Sequence, residues 1–309
     1  MRRVVSRTLP DGTFRRVHPF HISLEGLEST VLCRDDRDYD AMVKIICVAA
    51  HRKNVIVIIY AAVSNHCHVA VLAACQKDAY EYGQEIKKMY GMWFQRRYGE
   101  SAILRRTDIC AILLDSDWYV RNALAYIPRN ALDNDCDINA YRWTGFRAMF
   151  CKEPPAGKRQ AVSKLTKRER ERIFHTGDDL KGVTWLIDER EELIPGSFCE
   201  YRYLEQAFEE DHAFFLKTLG GQNAAEMQNK LIKGPRTMQT DGDFFKLATE
   251  TSQRWFKTDL ATLSQERKIR LVSYLNRTSR TTVPQLARVF GLTREAVAEI
   301  LGKRRTLSS

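Results

Sequence analysis

Three observations predict an α+β fold for this chain of 309 residues. Strand-like and helix-like patterns alternate as β-α-β-β-α-β-α over the first half. Near residue 151 a Pro/Gly break opens a dense charge run, "CKEPPAGKRQAVSKLTKRERERI". Beyond it the apolar residues recur mostly at helical spacing. Hydrophobic residues make up 44% of the chain, enough to form a packed core of some size.

"HISLEGL" (His21–Leu27) alternates apolar and polar residues and reads as a strand. In "DDRDYDAMVKIICVAAHRKN" the residues Tyr39, Met42, Val43, Ile46 and Ala50 fall on one helical stripe, and Asp35 or Asp36 can cap its start. "VIVIIYAA" (Val55–Ala62) is a buried strand, Ser64 and Asn65 make a turn, and "HCHVAVL" returns as the second arm of a hairpin. "YEYGQEIKKMYGMWFQRRYG" carries Tyr82, Ile86, Met89, Tyr90, Trp93 and Arg97 along one helical face. "ICAILL" (Ile109–Leu114) is a short buried strand, and "DSDWYVRNALAYIPRNAL" reads as a helix from near Asp115. The first six elements are those of a ferredoxin-like split βαβ domain, an antiparallel sheet with helices packed on it.

Four segments follow from this pass: a domain over 1–150, a basic linker and helix over 151–182, a helical region over 183–265, and a C-terminal module over 266–309. In the last, "TTVPQLARVFGLTREAVAEILG", Thr282 and Gln285 stand in the relation of a capping box, and Leu286, Ala287 and Phe290 share a face. Gly291 can turn the chain and Thr293 can cap a second helix, with Val297 and Ile300 inward. A small Ala, a turn Gly four later and an apolar residue six after that form the helix-turn-helix pattern. Thr293 and Arg294, opening the second helix, are candidate contacts to duplex DNA. An ordinary helical hairpin is the alternative.

The net charge of +10 favours a polyanionic partner, nucleic acid ahead of an anionic membrane surface. The eight cysteines include no C-x-x-C pair and read as reduced residues of a cytoplasmic protein. "MRRVVSRTLPDG" has no apolar core after its basic residues, unlike a signal peptide. The longest apolar run, "VIVIIYAAV", is too short to span a bilayer, so no membrane association is expected.

Chemistry is suggested by "SNHCHVAV". In a strand, His66 and His68 project to one face while Cys67 points to the other. Two neutral imidazoles side by side can bind a divalent cation, although an isolated H-x-H is a weak signal and more often a pair of ordinary surface or core histidines. Tyr126 and Asn130 in "AYIPRN" are four apart and share a helical face. If that helix packs beside the histidines, Asn130 offers an amide oxygen and Tyr126 lies one turn away; otherwise Tyr126 is a packing residue.

The chain resembles the single-tyrosine HUH transposases, and most of all their REP-associated tyrosine transposase branch. "FHISLEGLES" resembles the opening strand, "NHCH" (Asn65–His68) stands at the N-H-x-H motif, and "YGMWFQRRYGES" resembles the helix that follows. "AYIPRNAL" resembles the tyrosine-bearing helix, and "AYRWTGFRA" the stretch after it. The likeness covers residues 15 to 150, with a weaker echo in "IPGSFCEYRYLEQAF". It implies that His66, His68 and Asn130 hold magnesium or manganese and that Tyr126 attacks a phosphate of single-stranded, hairpin-bearing DNA. Arg96, Arg97, Arg105 and Arg106 are candidate backbone contacts. The family contains both monomers and dimers, so a homodimer is among the implied assemblies. The chain departs from the pattern in two places: Ala131 follows Asn130 where a proline is usual, with Pro128 inside the helix instead, and "ILRRTDIC" poorly matches the family's Trp-x-x-Arg-Phe stretch. Those departures favour an alternative, a domesticated, catalytically impaired DNA-binding protein or regulator. A metal-dependent hydrolase of another substrate is argued against by the lack of paired carboxylates near the histidines.

Overall fold

The computed structural model describes residues 3–25, 31–100, 107–133, 136–151, 157–221, 241–279 and 281–302. It opens with a hairpin that the sequence pattern did not announce. β1 (Val5–Thr8) pairs antiparallel with the start of β2 (Phe14–Glu25), which therefore begins seven residues before the expected strand. The turn is closed by Asp11, whose carboxylate accepts from the Thr13 amide at 2.8 Å and hydroxyl at 2.6 Å, and by Gly12 at φ 84°.

The remaining elements follow the expected order: α1 (Asp36–Arg52), β3 (Ile56–Ala62), β4 (Cys67–Ala73), α2 (Gln76–Tyr98), β5 (Asp108–Leu113) and α3 (Asp117–Asp133). Asp35 caps α1, accepting from the amides of Arg37 and Asp38. The strands form one antiparallel sheet in the order β1-β2-β4-β3, with β5 on the free edge of β2 beyond β1. The protein is thus α+β, built around a curled antiparallel sheet.

The two faces of the sheet differ chemically. Phe20, Ile22 and Leu24 of β2 are buried in the main core, toward α2. Contact there is close because α2 carries Gly83, where a Cβ would lie 2.4 Å from Ile109 Cγ2 and 3.2 Å from Ile22 Cγ2. The alternate residues of β2, His21 and Ser23, project to the opposite face, which α3 covers. On the outer edge, Tyr141 donates to Ala62 O at 2.5 Å and Thr144 to Tyr60 O at 3.0 Å, so "YRWT" shields β3 from pairing with another chain.

The stretch expected as a basic linker is drawn into this core. Val162 and Leu165 are buried, as are Ile173 and Phe174 at the end of α4 (Lys167–Phe174). A two-stranded ribbon joins β6 (Gln160–Ala161) to β7 (Leu186–Ile187). Residues 183–265 do not pack as one body. α5 (Tyr201–Ala207) and α6 (His212–Gly221) bury Tyr203, Leu204, Phe208 and Phe215 in the main core. α7 (Asp241–Phe256) instead joins α8 (Gln265–Thr278), α9 (Val283–Phe290) and α10 (Arg294–Ile300) around a second core, in which Val31 also sits.

In that second unit one half of the expected capping box is present, and the turn and second cap are formed. Thr282 accepts from the Gln285 amide, Gly291 turns at φ 61°, Thr293 accepts from the Ala296 amide, and Val297 is buried. No helix among the described residues is long and apolar enough to cross a membrane.

Candidate active site

The turn that carries the histidines is held from three sides. Ser64 O accepts from the Leu32 amide at 2.6 Å and the Cys33 amide at 2.8 Å. The Ser64 hydroxyl donates to Asp241 Oδ2, the carboxylate oxygen that also takes the Arg288 guanidinium from α9. The C-terminal unit is thereby fastened one residue before Asn65.

His66 and His68 face each other across the end of β4, with Nε2 of one 2.9 Å from Nε2 of the other. Cys67 points the other way into the core, where burial pushes its thiol up to about 12. His66 Nδ1 lies 2.8 Å from Asn65 Oδ1. A third imidazole joins them: His21 Nε2 is 3.2 Å from His68 Nδ1. The register explains this, since Ser23 lies directly opposite His68 and His21 opposite Ala70, making His21 and His68 diagonal neighbours on one face. Burial, with help from the charge of Arg288, brings the His66 ring down to about 4. Burial, then His66 and His21, lowers His68 well below its ordinary range. Both rings are neutral at physiological pH, the form that ligates metals.

α3 brings Tyr126 over this cluster. The Tyr126 ring stands edge-on to His68 at 5.1 Å and to His21 at 6.2 Å between centroids. Tyr126 is 36% exposed while its helical neighbours Ala125 and Ile127 are buried, so it faces the opening of the site. The helix runs unbroken through Pro128. Asn130 is buried one turn further on, its Nδ2 donating to the carbonyls of Tyr126 and Ile127, each at 3.1 Å. Only an NH2 can face two carbonyls, so Oδ1 is turned away from them.

Two imidazole nitrogens 2.9 Å apart suit a shared cation. His66 and His68 would be the nitrogen ligands of such an ion, which would supply Lewis-acid activation of a bound phosphate. Among the described residues, no group of three or more His, Cys, Asp or Glu side chains is placed to hold a metal. His21 does not add a third, because it meets His68 through the other ring nitrogen. An ion here would need further ligands from oxygens such as water or a bound phosphate, and the Asn130 amide is the protein oxygen that the sequence offered.

The arginines fare differently. Arg97 gives its guanidinium to Asp35 and Asp38. Arg96 lines an open cleft of about 500 Å³ beside Trp93 and His175. Arg105 and Arg106 lie outside the described residues. Thr293 caps α10 and Arg294 is exposed at its first turn. Sequence reasoning missed His21, whose signal was its alternation with Phe20 and Ile22. It also missed Asp241 and Arg288, which only the packing of the C-terminal unit brings to the turn.

No family model, curated protein or solved structure matches the chain.

Proposed function

We propose that the chain is a metal-dependent single-stranded DNA transposase or endonuclease that cuts and rejoins DNA through Tyr126, in the manner of the single-tyrosine HUH family it resembles. The observation that carries this reading is the placement of an exposed tyrosine edge-on to a pair of neutral histidines whose Nε2 atoms lie 2.9 Å apart. The strand order β5-β2-β4-β3, with α1 and α2 packed against each other on the sheet, supports the ferredoxin-like reading of residues 1–150. A magnesium or manganese ion, held by His66, His68 and Asn130, would polarise the scissile phosphate. The Tyr126 oxygen attacks phosphorus, the bond to the 3′ oxygen breaks, and the phenolic proton ends, through solvent, on the departing 3′-hydroxyl. The product is a 5′-phosphotyrosine. It keeps the phosphodiester energy, so rejoining to a second 3′-hydroxyl needs no nucleotide cofactor. The net charge of +10 suits a DNA partner. The α9–α10 pair is assigned to duplex DNA as a helix-turn-helix, with Thr293 and Arg294 on the entering helix.

The test is a denaturing gel of the protein with labelled single-stranded DNA from both flanks of its own gene, plus magnesium or manganese. A labelled band at protein mass, absent in Tyr126→Phe and His66→Ala, is expected. Cleavage by Tyr126→Phe at the wild-type rate would overturn the mechanism. Tight hairpin binding with no adduct would favour the non-catalytic DNA-binding alternative, for which the sequence departure at Pro128 speaks.

A further inference from the structure

The outward side of α8 carries a pattern that the candidate active site does not use. Arg267, Arg270, Tyr274 and Arg277 follow one another at intervals of three, four and three residues. At 3.6 residues per turn they fall within an arc of about 80°, along about 15 Å of helix. All three arginines are exposed, while Leu271, Val272 and Leu275 turn into the second core. Among the described residues no carboxylate forms an ion pair with any of the three, Glu266 at the head of the helix included.

Aromatic rings stand beside this cationic stripe. Trp255, at the end of α7, leans on Tyr274 with ring centroids 4.4 Å apart, yet stays 42% exposed. The Arg267 guanidinium lies 5.4 Å from the centroid of the Phe256 ring. The indole thus presents aromatic surface to solvent at the edge of the stripe. α10 is differently charged: it sets Arg294 beside the exposed Glu295 and Glu299.

The combination selects a partner. A row of cations suits a chain of phosphates. An exposed ring among them suits a base that is not already stacked in a duplex. A duplex would meet the arginines and leave the indole idle, whereas unpaired nucleotides use both. We infer that the α8 stripe and Trp255 bind unpaired nucleotides of a nucleic-acid strand, with phosphates on Arg267, Arg270 and Arg277 and a base on Trp255. The inference goes beyond the reading above, since it needs neither Tyr126 nor a metal ion.

The test uses full-length protein with a chelator present, so that no strand is cut. The probe is a fluorescent oligothymidylate of about 20 nucleotides, longer than a usual single-strand site, read by anisotropy. Arg267→Ala/Arg270→Ala/Arg277→Ala changes only exposed side chains, and circular dichroism should show it folded. Its affinity should fall by about tenfold or more, and the slope of log affinity against log salt should flatten by about 2, three phosphate contacts at roughly 0.7 each. Trp255→Ala should lose about 5- to 100-fold, and Trp255→Phe, which keeps a ring, only a few-fold. Ultraviolet crosslinking should attach the strand at Trp255 or Tyr274. Repeating the titration with oligouridylate tells whether the strand is DNA, RNA or either. Unchanged affinity and slope in the folded triple variant would overturn the inference. So would an equal loss on a blunt duplex, which would make the stripe a duplex-backbone contact.

Discussion

Replacing Arg97 with methionine separates two uses of one residue. If Arg97 contacts DNA, Arg97→Met should cost affinity and spare stability. The structure gives Arg97 a place in a buried ion-pair network, for which the opposite outcome is expected. Arg97 Nη1 donates to Asp38 Oδ1 at 2.8 Å, and the Asp38 side chain is 0% exposed while that of Arg97 is 22% exposed. Asp35, the cap of α1, takes the other nitrogen. Stranding a buried carboxylate costs roughly 3–5 kcal/mol, whereas breaking a surface pair costs about 0–1. Asp38 keeps three other donors, the Arg34 amide at 2.8 Å, the Tyr98 hydroxyl at 2.6 Å and the Trp93 indole at 3.3 Å. Those bonds place the loss below the full burial figure, at about 2–3 kcal/mol. Methionine keeps the length of the stem but removes the guanidinium that lies 5.9 Å from the Trp93 ring centroid and 5.2 Å from that of Tyr98, so those cation–π contacts are lost as well. In a domain of this size the loss lowers the melting temperature by about 5–10 °C. Scanning calorimetry checks it, alongside single-stranded DNA binding at a temperature where both proteins are folded. An unchanged melting temperature together with a tenfold loss of DNA affinity would refute the structural assignment.

Two further predictions concern acid stability and strand binding. His66 and His175 are each brought to about 4, chiefly by burial, so the unfolded chain binds more protons than the folded one between about pH 6.5 and 4. Stability is greatest above pH 6.5 and is lost as pH falls through that window, and urea denaturation at pH 7, 6, 5 and 4 should show a decline that His175→Phe makes shallower. Trp118 is 74% exposed on α3. It lies two helical turns from Tyr126, about 12 Å at 1.5 Å per residue, so it can stack a base near the attacked phosphate. Trp118→Ala should weaken single-stranded DNA binding by about 5- to 100-fold in fluorescence anisotropy, and an unchanged affinity would remove it from the strand path.

Local signals carried the sequence reading far in some places and failed in others for one physical reason. The Asp35 cap, the Ser64–Asn65 turn, the shared face of His66 and His68, and the Thr282–Gly291–Thr293 punctuation all depend on residues within a few positions of one another. β1 was missed because "VSRT" is short and polar, and its pairing with "FRRV" offers no apolar stripe. The charge run after residue 157 hid Val162, Leu165, Ile173 and Phe174, a sparse apolar set that becomes legible only against the core it meets. Arg97 was offered as a DNA contact because its two carboxylates lie about sixty residues earlier and no local pattern points to them. His21 required the register of β2 on β4, which no single strand reveals.

The bond from Ser64 to Asp241 makes the histidine turn and the C-terminal helices parties to one free-energy account. Arg288 lies in α9, one short turn before the helix that begins at Arg294, and its guanidinium meets the same carboxylate oxygen. A ligand that draws Arg288 outward must work against that shared oxygen, and whatever it spends is transmitted to the backbone next to Asn65 and His66. Reciprocity then obliges occupancy at the histidines to alter affinity at the far helices by the same factor. If both sites take nucleic acid as proposed, a strand held in one is a condition on the strand held in the other.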